Sequence, residues 1–358
     1  MVIVSVVGAR PNFVKLAPVA HALGKRKGVE HLIVHTGQHY DALMSESFFQ
    51  ELEIPAPSVN LEVGSASHAK QTAAVMDRFE GTCLELKPDW VLVYGDVNST
   101  VAAALVAVKL GIKVAHVEAG LRSYDRTMPE EHNRIVTDHL VDLLLTPSRD
   151  AIATLKGEGI PAERIQFVGN VMIDTLIRLR GRAKGAAAKL GVPERGFVLV
   201  TLHRPGNVDD PATLAVICDG LAELAKERPV IFPCHPRTRQ RLAETKRLGN
   251  VRLVDPVPYL EMLSLTESAA LVVTDSGGVQ EETSFLGVPC LTVRPNTERP
   301  ITVSEGTNQL IRPEDIARAS QGKWEAGSGK RNAPHIERWD GKAGERIAEV
   351  LCDGKRFT

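Results

Sequence analysis

Paired cysteines, a dominant charge and a long apolar run are all missing from this sequence. Its five cysteines, Cys83, Cys218, Cys234, Cys290 and Cys352, are odd in number, widely spaced and without a CxxC pair. That excludes a disulfide framework and a zinc knuckle, and it fits a reducing cytoplasm. Forty-three Lys and Arg stand against forty-four Asp and Glu, for a formal net charge of −1. No global field therefore draws the chain to nucleic acid or to an anionic membrane, and neither is expected as a partner. Any anionic ligand must be held by local groups. The apolar start from Met1 to Val7 lacks a basic n-region and soon meets Gly8, Ala9 and Arg10, so it reads as a buried first strand rather than a signal peptide or a membrane span.

Familiar catalytic signatures are missing too. GxxxxGKS/T and GxGxxG do not occur, so neither a P-loop nor the common dinucleotide fingerprint is present. Without GxSxG, Ser276 has little claim to be a hydrolase nucleophile. His35 and His39 are four apart, but Gly37 lies between them at a strand end and HExxH is absent, which argues against a metal pair. There is no internal repeat and no low-complexity tract.

What is there is an ordinary folded chain of 358 residues, 43% hydrophobic and 24% charged. At roughly 150 residues per domain this predicts two domains or one large α/β unit. Short β-branched runs alternate with helical segments: Val2–Val7, a Pro11–Lys25 helix, His31–Thr36, a helix after Asp41, Trp90–Tyr94, a helix from Asn98, and Lys113–Val117. Runs such as Val91 to Tyr94 and Val114 to Val117 are apolar on both faces, as strands covered by helices on either side must be. The same grammar restarts with Phe197–Thr201, Val230–Phe232, Val251–Val254, Leu271–Thr274 and Cys290–Val293, with helices expected after Pro211, around Glu261 and from Ser276. The prediction is an α/β protein of two Rossmann-like, doubly wound domains facing across a cleft. A hinge is expected near Gly169, between the strand Ile165–Val168 and the helix Met172–Lys184, with 321–338 as loop and Ala343–Leu351 as a closing helix.

In open parallel sheets the ligand lies past the carboxyl ends of the strands, so the polar motifs that follow strands carry the chemistry. In VVGARPNFVKLAPV, Gly8 ends a strand while Arg10 and Lys15 bring positive charge to a helix N-terminus; this is an anion site in outline, or a tight turn with solvated charges. In LVYGDVNST, Asp96 and Asn98 follow a strand, where Asp also serves as an N-cap. The next unit delivers Glu118 in EAGLRS, and MPEEHNR brings Glu130, Glu131 and Arg134 to another helix start. Converging carboxylates suit acid/base chemistry; scattered ones make a solvated rim. His203 and Arg204 in VTLHRPGNVDDP follow the first strand of the second half, and His235 and Arg237 repeat the pattern one unit later. The most specific stretch is LVVTDSGGVQEETSFLGVPCLTVRPNTERP. There Ser276, Gly277 and Gly278 let a phosphate approach a helix N-terminus, Glu281 and Glu282 suit ribose hydroxyls, and Arg299 suits a further phosphate contact.

Taken in order, GARPNFVK, TGQH, YGDVNST, HVEAGLRS, MPEEHNR, HRPGNVD, TDSGGVQEE and NTERP resemble the non-hydrolysing UDP-N-acetylglucosamine 2-epimerases over about residues 2 to 311. The resemblance implies a glycosyltransferase B type fold whose last helix crosses back to the first domain, so that 1–169 with about 341–358 form the catalytic domain and 170–340 the UDP-binding domain. It implies C2 inversion of UDP-GlcNAc to UDP-ManNAc for cell-surface polysaccharide precursors, with UDP-sugar and UDP as ligands, no cofactor and no metal, in a cytoplasmic homodimer. Carried over by motif, Asp96, Glu118, Glu130 and His203 look catalytic. Arg10, Lys15, Arg134, Arg204, Ser276, Gly277, Gly278, Glu282 and Arg299 look substrate-binding, and Lys70 with Gln71 matches an activator site, with Lys where the family has Arg. Pro205 and Gly206 stand before Asn207 where the family carries an acidic residue. Three alternatives stay open: another UDP-acetamido sugar such as UDP-2,3-diacetamido-2,3-dideoxyglucuronic acid, a hydrolysing epimerase, and a glycosyltransferase of the same fold.

Overall fold

The computed structural model describes residues 1–37, 49–234, 236–322 and 333–357, apart from the side chains of Arg10, Pro236 and Arg237. The helix expected after Asp41, most of the loop expected over 321–338, and His39 and His235 lie outside the described residues. The chain divides into two compact units, Met1–Arg178 with Glu337–Thr358, and Leu179–Ile336.

The first unit is built on a parallel sheet of seven strands: β1 Val2–Val7, β2 Glu30–His35, β3 Val59–Asn60, β4 Trp90–Tyr94, β5 Lys113–Val117, β6 Leu143–Thr146 and β7 Ile165–Phe167. Their order across the sheet is β3-β2-β1-β4-β5-β6-β7. The direction of winding thus reverses between β1 and β4, which pair in parallel with Val6 opposite Val93. A crevice opens at such a reversal, because the connections leave toward opposite faces. On one face Val4, Val6, Val91, Val93 and Val114 pack against Phe79 and Ala103 from covering helices.

The second unit repeats the plan with six strands: β8 Val198–Thr201, β9 Val230–Pro233, β10 Arg252–Val254, β11 Leu271–Thr274, β12 Cys290–Val293 and β13 Asn308–Ile311, ordered β10-β9-β8-β11-β12-β13. Its reversal falls between β8 and β11, where Thr201 lies opposite Thr274. The two βα series predicted from the sequence are therefore two separate parallel sheets with alternating helices.

Several elements are not apparent from hydrophobic pattern alone. The helix His68–Leu86 buries Gln71, Val75, Phe79, Thr82 and Cys83, and polar residues in that stripe hide its 3.6-residue period. The strands β6 and β13 and the helix Arg149–Gly157 are also absent from the sequence-based reading. The helix expected to run to Lys184 stops at Arg180, and the Ala-rich stretch beyond it makes a short helix Ala186–Lys189.

The closing helix Ala343–Asp353 belongs to the first unit and packs on the helix Arg10–Leu23. A side chain at Gly344 would approach the Pro18 carbonyl oxygen to 2.5 Å, so glycine permits the close crossing. Asp174 holds the start of this helix by accepting the Gly344 N–H at 2.8 Å. No helix among the described residues is long and apolar enough to cross a membrane.

Candidate functional site

In the first unit two of the predicted carboxylates, Asp96 and Glu118, lie at the strand ends beside the switch between β1 and β4. The turn after β1 is tied down by Asn12, whose Oδ1 accepts the Gly8 and Ala9 N–H groups at 3.3 and 3.1 Å while its Nδ2 donates to the Tyr94 carbonyl at 2.9 Å. The strand ends β1 and β4 are thereby linked through one side chain. Arg10 opens the helix Arg10–Leu23, and one turn on the buried Lys15 forms an ion pair with the buried Glu118. This pair lies over Gly95: a side chain there would come within 2.6 Å of Lys15 Nζ and 3.2 Å of Glu118 Oε2. Gly95 also has φ of +62°, so two independent reasons call for glycine.

Asp96 follows directly, half-buried, and forms an ion pair with the buried Arg134. Asn133 donates from Nδ2 to the Asp96 backbone carbonyl at 2.9 Å. Asp96 is therefore not an N-cap, and the helix Asn98–Lys109 starts from Val97 without a side-chain cap.

The two acids of MPEE play different parts. Glu130, half-buried in the first turn of the helix Pro129–Leu140, has no ion pair among the described residues. Glu131 is buried and accepts from the Ser123 N–H and hydroxyl, both at 2.9 Å, from the Tyr124 N–H at 2.8 Å and from Arg134 Nη2 at 2.9 Å. Burial by itself would push its carboxyl up; the Ser123 and Tyr124 donors and the Arg134 charge override that and hold it below the usual carboxylate range. Glu131 thus fixes the loop and Arg134, and Arg134 fixes Asp96. The structure joins Lys15 to Glu118 and Arg134 to Asp96, so each of these carboxylates has a cation beside it.

In the second unit the switch lies at the ends of β8 and β11, and its organiser is Asp275, which motif reading passes over. Fully buried, it accepts the His203 N–H at 3.1 Å, the Arg204 N–H at 2.9 Å and Asn207 Nδ2 at 3.0 Å, and its Oδ1 lies 2.9 Å from His203 Nδ1. Burial favours its neutral form, but these donors win and its carboxyl is held below the ordinary range. The signal was in plain view, since Asp275 follows strand β11 directly in TDSGG.

Beside it, Ser276 precedes the helix Gly277–Leu286, whose first N–H groups belong to Gly277 and Gly278. Arg299 lies across this start: a side chain on Gly277 would reach 2.3 Å from its Nη1 and 2.8 Å from Glu298 Oε1. A helix N-terminus flanked by a guanidinium is a fitting place for phosphate oxygens. Arg299 pairs with Glu281 at 3.1 Å and Glu298 at 2.6 Å, Arg294 pairs with Glu298 at 2.8 Å, and Arg204 lies 3.7 Å from Glu298. Arg294 and Glu298 are further members that the sequence reading did not single out.

Glu281 is a correction to that reading. It is buried against Arg299 rather than set for a ribose. Glu282, one residue on, accepts the Tyr259 hydroxyl at 2.9 Å. Burial raises its carboxyl to about 7, the Tyr259 bond opposing and the neighbouring Glu281 assisting. Lys70 and Gln71 also separate. Lys70 is exposed, whereas Gln71 is buried, donating to the Gly64 carbonyl at 3.2 Å and accepting from Asn98 Nδ2 at 2.8 Å. Among the described residues no three His, Cys, Asp or Glu side chains are grouped to hold a metal ion.

Comparison with known proteins extends this picture. The family model for UDP-N-acetylglucosamine 2-epimerase matches residues 21–352. A UDP-2,3-diacetamido-2,3-dideoxy-D-glucuronate 2-epimerase of Pseudomonas aeruginosa is 43% identical over 98% of this chain and 99% of its own. The crystal structure of Methanocaldococcus jannaschii UDP-GlcNAc 2-epimerase in complex with UDP-GlcNAc and UDP is 41% identical, covers 99% of this chain and 100% of that one, and superposes with a TM-score of 0.88. A Phytolacca americana UGT2 structure, 14% identical over 98% of this chain and 95% of its own, shares the fold with a TM-score of 0.57.

Proposed function

The chain belongs to the UDP-N-acetylglucosamine 2-epimerase family, and from that premise we propose that it inverts C2 of UDP-GlcNAc to give UDP-ManNAc by eliminating and re-adding UDP. The observation that carries the reading is the pair of strand-end carboxylates, Asp96 and Glu118, each with its own cation.

The chemistry explains why such a set is needed. The C2 hydrogen of the sugar has no neighbouring carbonyl, so simple enolisation cannot acidify it. Elimination provides another route: a carboxylate removes H2, the electron pair forms the C1–C2 double bond, and the C1–O bond breaks to release UDP. The 2-acetamidoglucal and UDP then recombine as the phosphate oxygen attacks C1 and a proton is delivered to C2 from the opposite face. Two faces require more than one acid/base group, for which Asp96, Glu118 and Glu130 are the candidates. Lys15 and Arg134 would keep two of them placed, and Arg10 would add positive charge at the end of β1. In the second unit Ser276, Gly277, Gly278, Arg204 and Arg299 would bind the diphosphate and stabilise the charge that grows on it as it leaves. Glu282 would take the ribose, with His203 beside them as a proton-transferring or phosphate-contacting group. No step in this scheme calls for a metal or a redox cofactor. A homodimer in the cytoplasm, supplying precursors of cell-surface polysaccharide, belongs to the same proposal on the strength of family membership.

A second reading is favoured by the Pseudomonas aeruginosa relative, whose name specifies a diacetamido uronate sugar. The same elimination would then run on that nucleotide sugar. Incubation with UDP-GlcNAc in D2O decides between them: deuterium at C2 together with UDP-ManNAc is the expected result. Absence of C2 exchange at saturating UDP-GlcNAc, with turnover of the diacetamido uronate, would establish the second reading. Stoichiometric release of UDP and free ManNAc would identify a hydrolysing enzyme. Transfer that requires an acceptor, without C2 inversion, would mark a glycosyltransferase.

A further inference from the structure

His116, the fourth residue of β5, is wholly buried, and both of its ring nitrogens meet oxygen atoms. Nε2 lies 2.7 Å from the Gly95 carbonyl oxygen and Nδ1 lies 2.7 Å from Asp138 Oδ1. A carbonyl oxygen only accepts, so Nε2 must carry a proton. Asp138, on the helix Pro129–Leu140, is held as an anion, because Arg122 Nη1 donates to its Oδ2 at 2.7 Å and the Gly120 N–H does so at 3.1 Å. Asp138 Oδ1 thus holds the ring at its other nitrogen, Nδ1.

Asp138 is itself braced. Arg122, which donates to it, also donates from Nε and Nη2 to the two carboxylate oxygens of Glu158, each at 2.8 Å. Glu158 lies at the partly exposed edge, with His139 Nε2 3.9 Å from its Oε2.

The Gly95 carbonyl is where this cluster meets the site. Gly95 also donates its N–H to the Val117 carbonyl at 3.1 Å, so both polar atoms of the residue are tied to β5. That residue carries the turn that presents Asp96 and the slot in which Lys15 meets Glu118.

We propose that His116 is a positioning residue, whose Nε2–H holds the Gly95 carbonyl while Asp138 holds its other ring nitrogen, and which so aims Asp96 and keeps the Lys15–Glu118 pair in register. The effect on turnover rests on the reading of Asp96 and Glu118 as catalytic groups; the hydrogen bond to the Gly95 carbonyl does not.

Two measurements test it. In the intact protein labelled with 15N-histidine, His116 should show a proton on Nε2 at about pH 8, because the Gly95 carbonyl can only accept. A bare Nε2 would overturn the proposal without any variant having to fold. His116→Gln loses the ring that spans Asp138 and the Gly95 carbonyl, and kcat should fall on the order of 10–100-fold, as for a small misplacement of reacting groups, while the Kd for UDP changes by less than about threefold. A kcat within about twofold of the parent, or an equal loss of UDP affinity, would overturn it. If the parent chain turns over neither nucleotide sugar, the functional reading fails instead, and the spectrum still decides the hydrogen bond from His116 to Gly95.

Discussion

His203 Nδ1 lies 2.9 Å from Asp275 Oδ1, and the carboxylate is fully buried while the imidazole is 66% exposed. The buried anion orients the ring and places the donor hydrogen on Nδ1, leaving Nε2 as the nitrogen that Asp275 does not engage. Because Asp275 also accepts from the His203, Arg204 and Asn207 nitrogens, it shapes the whole turn after β8. This turn holds its form without the acidic residue that the resemblance led one to expect before Asn207.

Asp275→Asn replaces an acceptor with a donor among several donors. It should cost about 1–3 kcal/mol of stability, the scale for leaving buried polar groups unmatched, and lower kcat/KM with it. Chemical denaturation and steady-state kinetics on the same preparation check this; an unchanged midpoint would remove Asp275 from its organising role.

Gly95→Ala should lose activity out of proportion to stability. The backbone conformation, φ +62°, accounts for about 1–2 kcal/mol. The new methyl would also meet Lys15 Nζ at 2.6 Å and separate the Lys15–Glu118 pair. Gly111→Ala is the matched control, with φ +72° and nothing within 4 Å. Equal kcat in the two variants would show that the close approach does not matter.

Glu282 has a carboxyl raised to about 7 from an ordinary 4.5. A group whose folded value is raised contributes stability that is complete below the unfolded value and is lost as pH rises through about 7. Glu282→Gln should therefore stabilise the protein at pH 8 by about 1–3 kcal/mol, since the amide oxygen still accepts from Tyr259. If Glu282 takes the ribose as proposed, UDP binding should weaken by roughly tenfold, as a charged acceptor is replaced by a neutral one. Thermal melts and titration calorimetry at pH 8 measure the two effects separately.

Asp174 obeys the same sign at lower pH. Burial lifts its carboxyl from 3.8 to about 6, against the N–H groups of Gly344 and Ala343 that favour the charged form. Its stabilising contribution is complete below 3.8 and is lost as pH rises through about 6. Asp174→Asn should raise Tm at pH 8 and flatten the pH dependence between about 4 and 7, with activity retained. A lower Tm at pH 8 would mean that the charge on Asp174 is what docks the closing helix.

Much of the fold was legible because its signals are local. Apolar runs such as Val91 to Val93 and Val198 to Val200, buried throughout, declare strands covered on both faces, and the polar residues that follow them fall at strand ends. Gly8, Asp96, Glu118, His203 and Ser276 were picked out in this way, whereas Gly95 was not. The helix His68–Leu86 was not, because its buried stripe includes Gln71 and Thr82 and looks like a surface.

What the chain order determined by itself is therefore the two βα series and which polar residues fall at the strand ends. What only the tertiary structure decided is which of two adjacent, chemically similar residues does what: Glu130 is left available while Glu131 braces Arg134, and Glu281 pairs with Arg299 while Glu282 meets Tyr259. Consecutive positions on a helix differ by about 100° in direction, so neighbours with the same chemistry face different surroundings. Nothing in the order of residues says which direction the packing will cover.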